Sequence, residues 1–538
     1  MASSTIARAS TLMAVGTTAS RVLGFVKAMV LATAIGVTAS VGADSFAVGN
    51  MLPNSVYMVL IGGVLSAVLV PQIVQAMAGH DGGSAYVNKL VTIAMVFLLA
   101  ITALAMALAP FLVRLYAMAW SPEQLALAVG FAYWCLPQIF FYGLFNILGE
   151  VLNAKKVFGP SSWAPVLNNI VAITGLVIYI VIFGADPDGN RGLDDWHTAQ
   201  IGLLAGSATL GVIAQSIILS LAWRKAGIRY RPDFVWRGVG FGTLGKIAGW
   251  SLATVIVMQL GGIVTTNVAS TASGKGASVA ALQYAWLIFM LPYSILAFSI
   301  GTAYFTRLAE HARNNKPEDM RADVSSALRV IGLVMTGSAA IIFITAPFIA
   351  LVLMDGAKPA DIAALAVVIM MYILSLTPYG MLFVIQRTYF AFNDTRTPFF
   401  FTVLQILLFV GGSLLVLAFS PVELVAAMLA LSFTFATLIQ VGVGLIFLRK
   451  KIGGIDGKRV FVSHLKYGIA VIPTVVAGYF MLQFSATYVD LDSLAVAIIE
   501  SIIYAVILGG IYFATLWLLR SEEIAELVTQ VKAKLKRS

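Results

Sequence analysis

The sequence predicts an all-α integral membrane protein with fourteen transmembrane helices, and three observations lead to this fold class. Of the 538 residues, 60% are hydrophobic and only 11% are charged, whereas soluble proteins carry roughly 25% charged residues. Long apolar runs follow one another along the whole chain, separated by short polar segments. None of them alternates between apolar and polar residues as the strands of a β-barrel do, so helices must satisfy the backbone hydrogen bonds in lipid.

Fourteen of these runs are long enough to cross a hydrocarbon core about 30 Å thick, which takes about 20 helical residues. In chain order they cover residues 10–36, 46–77, 90–113, 125–153, 164–184, 198–223, 246–269, 278–306, 327–354, 360–386, 397–419, 422–448, 467–484 and 493–519. Arg21 and Lys27 interrupt the first run, unlike the apolar core of a cleavable signal peptide. We therefore expect it to be retained as the first crossing.

The distribution of basic residues predicts the orientation. Fourteen crossings put both termini on the same side of the membrane. If that side is the inside, the inward segments contain 28 of the 34 Lys and Arg residues and the outward loops contain four. This bias follows the positive-inside rule and predicts that both termini are inside. The net charge of +10 is therefore explained by the orientation of the chain in the membrane and by contact with anionic lipid head groups, and it does not indicate nucleic-acid binding.

An internal repeat predicts two pseudo-symmetric lobes. Residues 52–62 and 291–301 share Leu-Pro, Ser and Gly at an offset of 239, and residues 141–160 and 378–398 match at offsets of 237 and 238. Two six-helix halves of this kind would enter the membrane in the same direction, with a site near the midplane between them. The predicted domains are an N-terminal lobe at 1–225, a C-terminal lobe at 226–450, a helix pair that could form a groove for a lipid tail at 460–520, and a cytoplasmic charged tail at 521–538.

The sequence predicts no enzymatic activity and no cofactor. It contains no Gly-x-x-x-x-Gly-Lys-Ser/Thr loop for a nucleotide, and its four histidines are not next to carboxylate clusters in the sequence. The single cysteine, Cys135, lies in an apolar run, so an intramolecular disulfide cannot form. No combination of Cys and His residues has the spacing of a metal site.

Two cations inside the first crossing are the leading candidates for a binding site, because charge within a membrane is costly and usually functional. Arg21 is about ten residues into the run, which corresponds to roughly 15 Å of depth. Lys27 follows six residues later and faces about 120° away. The planar fork of an arginine and the point charge of a lysine together suit a diphosphate.

Several motifs resemble those of the MurJ (MviN) family of lipid II flippases. The first is Ser20-Arg-Val-Leu-Gly-Phe25 in the first crossing, and the second is Asp44-Ser-Phe-Ala-Val-Gly-Asn-Met-Leu-Pro-Asn54. Gly63-Val-Leu-Ser-Ala-Val-Leu-Val-Pro71 and Arg387-Thr-Tyr-Phe-Ala-Phe-Asn-Asp-Thr-Arg-Thr-Pro398 follow in the same order. The resemblance implies a fourteen-helix exporter fold that moves undecaprenyl-diphosphate-linked peptidoglycan precursor to the outer leaflet.

The resemblance also implies roles for individual residues. Arg21 and Lys27 match basic positions of the family, and Asp44 matches an acidic one. Together with the helix interruptions, the motifs indicate six residues for the cavity or its gating, namely Asp44, Asn54, Gly62, Gly63, Pro292 and Arg387. The chain departs from the family at four positions where charged residues are usual, which here are Tyr57, Met58, Leu287 and Met290. The sodium-site carboxylates of some relatives are also missing from the seventh and eleventh crossings, so we expect no metal.

The expected function is therefore lipid II transfer by alternating access, in the plasma membrane of a bacterium, for cell-wall synthesis and cell shape. Without a nucleotide motif, the membrane potential is the expected driving force. Membrane lipids are expected partners, and cell-wall synthesis or division proteins are further ones. Three alternatives stay open: a flippase for another polyprenyl-linked glycan, a cation-coupled drug exporter, and a membrane scaffold of the wall-synthesis machinery.

Overall fold

The computed structural model describes residues 2–60, 84–155, 157–228, 230–235, 245–488 and 493–525. Within these ranges the chain is almost entirely helical and forms no β-strand. The α-helices are α1 Ala2–Ile35, α2 Val41–Leu60, α3 Ser84–Ala107, α4 Ala109–Tyr116, α5 Pro122–Cys135, α6 Gln138–Ala154, α7 Gly159–Phe183, α8 Thr198–Lys225, α9 Gly245–Ser270, α10 Val279–Pro292, α11 Phe298–Arg313, α12 Pro317–Leu353, α13 Pro359–Ile373, α14 Leu376–Ala391, α15 Arg396–Phe419, α16 Val425–Ile452, α17 Gly457–Tyr488 and α18 Leu494–Leu518.

Thirteen helical stretches of the described residues are long and apolar enough to cross a membrane. Each of them coincides with one of the predicted runs. The remaining predicted crossing, at 46–77, begins within α2, and residues 61–83 lie outside the described residues. The predicted all-helical fold is confirmed, while the count of fourteen and the inside position of both termini stay predictions.

Prolines divide three of the membrane-length stretches into two helical segments. Pro137 lies between α5 and α6, and Pro292 ends α10 before a π-helical turn at Tyr293–Ala297. Pro378 lies in the first turn of α14, just after the break that separates this helix from α13. A proline has no backbone N–H and its ring collides with the carbonyl four residues earlier, so the regular hydrogen-bond pattern stops at these places.

Contacts group the chain into two compact units, Met1–Ala280 and Ala281–Ser538. In the first unit α7 packs lengthwise against α1 and α8, and Gly175 faces Ser207 where no larger side chain would fit. Small residues at helix contacts allow this close approach. Helix α9 belongs to the same unit, because the Trp120 indole N–H donates to the Ser270 carbonyl over 2.9 Å.

In the second unit α12 is the central helix. It is 37 residues long and packs against α11, α13, α14, α17 and α18. The first residues after α18 fold back onto it, and the buried Glu523 forms an ion pair with the buried Arg329. The predicted lobes at 1–225 and 226–450, with their separate helix pair, stay a prediction that rests on the sequence repeat.

Candidate functional site

Arg21 lies in a polar pocket of about 490 Å³ that α1 forms with the end of α6 and the start of α7. Its side chain is half-buried. The polar residues that share the pocket are Thr17, Ser20, Asn153, Ser161 and Ser162. The apolar stretch that contains Arg21 continues to Ile35, fourteen residues further along the helix.

Lys27 does not line this pocket. Helix α1 continues without a break from Ala2 to Ile35, so the six residues between the two cations rotate Lys27 by about 120° away from Arg21. The half-buried Lys27 is also farther along the helix. The first unit therefore brings Arg21 together with neutral hydrogen-bonding groups and keeps Lys27 on another face of α1.

Asp44 is completely buried in the first turn of α2. Its Oδ1 accepts a hydrogen bond from the backbone N–H of Ala280 over 2.9 Å, at the start of α10. A carboxylate at this place stabilises the start of α10, both by accepting this hydrogen bond and by its favourable interaction with the helix dipole. Because α2 follows the far end of α1, Arg21 and Asp44 are separated by fourteen residues of α1, or roughly 21 Å of helix. The structure therefore does not bring them together.

The first unit also contains a polar cluster that the sequence did not indicate. Tyr57 on α2 pairs with Tyr142 on α6, with ring centroids 5.5 Å apart. The Tyr142 hydroxyl donates to Gln138 Oε1 over 3.2 Å, and Gln138 Nε2 donates to Thr209 Oγ1 over 2.9 Å. Asn54 lies one turn before Tyr57 and is exposed. The spacing of these two polar residues on α2 is the signal that could have indicated the cluster. The candidates Gly62 and Gly63 lie outside the described residues.

The two candidates in the second unit are Pro292 and Arg387. Pro292 directly precedes the π-helical turn described above. Arg387 on α14 lies over two aromatic rings, with its guanidinium carbon 4.9 Å from the centroid of Phe383 and 5.3 Å from that of Phe305. Cation–π contacts of this kind hold a guanidinium in place and leave its N–H groups available at the edge.

The end of the fourth motif forms a helix start. Asp394 accepts hydrogen bonds from the Thr397 backbone N–H and hydroxyl, each over 3.0 Å, at the first turn of α15. Lys451 donates to the same carboxylate over 3.1 Å. Burial alone would raise the pKa of Asp394, but these hydrogen bonds bring that pKa below its ordinary value. The carboxylate is thus ionised and structural, which accounts for this motif without a substrate.

One histidine does meet a carboxylate, contrary to the impression from the sequence. His311 Nε2 lies 3.0 Å from Asp323 Oδ2, and Arg307 forms an ion pair with the other oxygen of the same carboxylate. The two residues are twelve positions apart and are brought together by the turn between α11 and α12. Among the described residues, no three His, Cys, Asp or Glu side chains are grouped closely enough to hold a metal ion.

Six aromatic rings from distant parts of the second unit form a cluster that the sequence did not indicate. We call it the aromatic cluster, and it consists of Trp286, Phe289, Tyr293, Tyr372, Tyr379 and Phe433. Neighbouring ring centroids are 4.8 to 6.1 Å apart. Helical spacing of aromatic residues is common in cores, so only their position in space distinguishes this group.

Comparison with known proteins adds to this geometry. A probable lipid II flippase MurJ from Haemophilus influenzae is 26% identical over 430 residues, which covers 76% of this chain and 80% of that protein. One from Borreliella burgdorferi is 24% identical over 438 residues, covering 80% and 81%. Among solved structures, a lipid II flippase MurJ in an inward closed conformation matches with a TM-score of 0.70 at 20% identity, over 94% of this chain and 99% of that one.

The fold is shared more widely. An inward-facing multidrug resistance MATE family transporter of the MOP superfamily matches with a TM-score of 0.64 at 16% identity, over 81% of this chain and 96% of that one. The family model described as lipid II flippase MurJ matches residues 31–499, which is most of the chain. On the strength of that match, the chain belongs to the lipid II flippase MurJ family.

Proposed function

We propose that this protein is a flippase that moves lipid II, the undecaprenyl-diphosphate-linked peptidoglycan precursor, from the inner to the outer leaflet of the bacterial plasma membrane. The observation that carries the proposal is the half-buried Arg21 in a polar pocket of a membrane-length helix, in a chain matched to the flippase family over residues 31–499. In this role it supports cell-wall synthesis and cell shape by transport and not by catalysis.

Arg21 would bind the diphosphate. A guanidinium donates two parallel N–H bonds to phosphate oxygens, and these bonds are stronger where water is scarce. Ser161, Ser162 and Asn153 line the same pocket and offer neutral hydrogen-bond donors for the remaining oxygens. Lys27, on another face of the helix, would meet the diphosphate at a later stage of its passage rather than at the same moment.

The polyprenyl tail needs an apolar path beside the polar one. Helices α17 and α18 expose several large apolar side chains, including Phe480 at 66%, Phe484 at 61% and Val506 at 69%. We assign the tail to these two helices, while the polar head follows the cations. Alternating access of the two halves of the chain would then carry the head across.

Acute depletion of the protein tests the proposal. We expect lipid II to accumulate in the inner leaflet, because its synthesis continues while its transfer stops. Re-expression of the parent should clear the accumulated lipid II, whereas Arg21→Ala at equal membrane levels should not. A scaffold of the wall-synthesis machinery would still function with Arg21→Ala, since the chain is present. Unchanged lipid II translocation after depletion would show that the proposal is wrong.

The second candidate function is a flippase for another polyprenyl-linked glycan. It is favoured by four positions at which the family usually has charged residues and this chain has uncharged ones, namely Tyr57, Met58, Leu287 and Met290. Such a lipid shares the tail and the diphosphate, so the Arg21 pocket would serve both. In the depletion experiment this candidate predicts accumulation of a different lipid-linked sugar and normal translocation of lipid II.

A further inference from the structure

The aromatic cluster is assembled from three separate parts of the second unit. Trp286, Phe289 and Tyr293 come from α10 and the π-helical turn, Tyr372 and Tyr379 come from the two sides of the α13–α14 break, and Phe433 comes from α16. Trp286 is stacked on Phe289 with centroids 5.1 Å apart, and Tyr379 lies 4.8 Å from Tyr293. Phe289 is fully buried, whereas the other five rings are half-buried.

The polar atoms of these rings are the decisive feature. Neither the Trp286 indole N–H nor the hydroxyl of Tyr293, Tyr372 or Tyr379 makes a hydrogen bond to another described residue. Buried tyrosines and tryptophans normally find a hydrogen-bond partner, and acyl chains cannot supply one. These four rings pack against the core of the second unit but are only partly buried, so four such groups in one cluster favour contact with water or a polar ligand.

The three tyrosines lie near the middle of their membrane-length stretches and not at the ends, where an interfacial aromatic belt would lie, whereas Trp286 is ten residues from the midpoint of Val279–Arg313. Tyr293 lies three residues from the midpoint of the membrane-length stretch Val279–Arg313. Tyr372 and Tyr379 lie three and four residues from the midpoint of Pro359–Ala391. At 1.5 Å per residue these offsets are at most about 6 Å, whereas aromatic belts lie at the two membrane surfaces.

The chemistry of the aromatic cluster favours an uncharged sugar ring as its ligand. Flat aromatic faces pack against the C–H face of a sugar, and tyrosine hydroxyls exchange hydrogen bonds with sugar hydroxyls. An aromatic cage could also hold an ammonium group. However, the Arg387 guanidinium is close to the cluster. Its central carbon lies 4.9 Å from the ring centroid of Phe383, and that centroid is 6.1 Å from the ring centroid of Tyr293. This positive charge opposes the binding of a second cation.

We propose that the aromatic cluster is a sugar-binding subsite for the glycan part of the lipid-linked substrate. This inference rests on the proposed function and specifies which part of the substrate the second unit recognises. Trp286 supplies the stacking face, and Tyr293, Tyr372 and Tyr379 supply hydrogen bonds.

The test compares two lipids with the same tail and diphosphate. Purified full-length protein in detergent is titrated with lipid II and with undecaprenyl diphosphate, which has no sugar. We expect the parent to bind lipid II more tightly. Trp286→Leu should reduce this preference by about ten-fold, and Tyr379→Phe, which removes only a hydroxyl, by roughly two- to ten-fold. The matched controls Trp134→Leu and Tyr133→Phe change exposed residues of α5, a helix outside the proposed binding regions, and should leave the preference unchanged.

The outcomes separate the two proposals. If the parent prefers lipid II and both variants keep the full preference, or if the parent binds the two lipids equally, the sugar subsite is wrong while the flippase function stands. If the parent binds neither lipid, both proposals fail. Tyr379→Phe retains the ring packing, so its result decides the matter even if Trp286→Leu does not fold.

Discussion

Asn169 on α7 donates a hydrogen bond from its side-chain amide to the backbone carbonyl of Ser20, the residue before Arg21, over 2.8 Å. Asn169 is buried, and it approaches α1 on the face that also carries Gly24. The bond fixes α1 against α7 at the level of the Arg21 pocket. Arg21 is therefore held by a neighbouring helix as well as by its own.

We predict that Asn169→Ala loosens this contact. The loss of one buried hydrogen bond should lower the free energy of unfolding by about 1 kcal/mol, and lipid II translocation should fall because Arg21 is less well positioned. Thr174→Ala removes a hydroxyl from the exposed face of the same helix and is the control. Equal translocation by Asn169→Ala and the control would contradict the positioning role.

Arg21 should be the residue that is least tolerant of change. Arg21→Ala removes a desolvated partner of the diphosphate, which costs several kcal/mol, so complementation of a depleted strain should be lost at normal membrane levels. Arg21→Lys keeps the charge without the fork and should retain partial function. Lys27→Ala should do less harm, and Arg224→Ala, at the exposed end of α8, should do none. Growth of Arg21→Ala like the parent would rule out the substrate-binding role.

The fold class could be predicted because membrane helices are defined by local composition. Thirteen described stretches coincide with predicted runs, since each needs only length and low charge. The breaks at Pro137 and Pro378 divide α5 from α6 and α13 from α14, although the apolar runs continue through them. Hydropathy does not record backbone geometry, so the sequence showed single crossings there.

The sequence could indicate candidate site residues only where one residue was unusual in its own segment. Arg21 and Lys27 were conspicuous as charges in an apolar run, and the structure places Arg21 in a polar pocket. The aromatic cluster was not predictable, because Trp286, Tyr379 and Phe433 are far apart in the chain and aromatic residues are ordinary in membrane helices. Their significance depends on the contacts that only the folded chain creates.

The Arg329–Glu523 pair should make stability dependent on pH. Burial alone would raise the pKa of Glu523, but hydrogen bonds from the Ser521 hydroxyl and its own backbone N–H, together with Arg329, bring that pKa below its ordinary value. Because the pKa is lower in the folded state, the pair stabilises the protein above the ordinary value of 4.5. That stabilisation is lost as the pH falls through the lowered folded value.

Thermal unfolding in detergent checks this prediction. Glu523→Gln removes the buried carboxylate that pairs with Arg329 and leaves only the exposed Glu522, 3.6 Å away, so it should cost up to about 3–5 kcal/mol at neutral pH, with a smaller difference from the parent in acid. Glu522→Gln changes an exposed carboxylate that pairs with Arg459 and lies 3.6 Å from Arg329, and should have a smaller effect. A difference between Glu523→Gln and the parent that does not change with pH would contradict the assignment.

The membrane potential should drive transport. The diphosphate is anionic and moves from the negative inside to the positive outside, which is favourable by about 2.3 kcal/mol per charge for each 100 mV. Collapse of the potential at constant ATP should therefore slow lipid II translocation. Loss of transport on removal of sodium alone, with the potential maintained, would instead reveal an ion site.

Translocation by the purified protein is the direct test of the flippase function. The parent and Arg21→Ala are reconstituted into vesicles that contain fluorescent lipid II, and a membrane-impermeant quencher reports which leaflet holds the label. We expect the parent to expose inner-leaflet lipid II to the quencher much faster than protein-free vesicles do, and Arg21→Ala not to do so. Equal rates for the parent and for protein-free vesicles would contradict the flippase function.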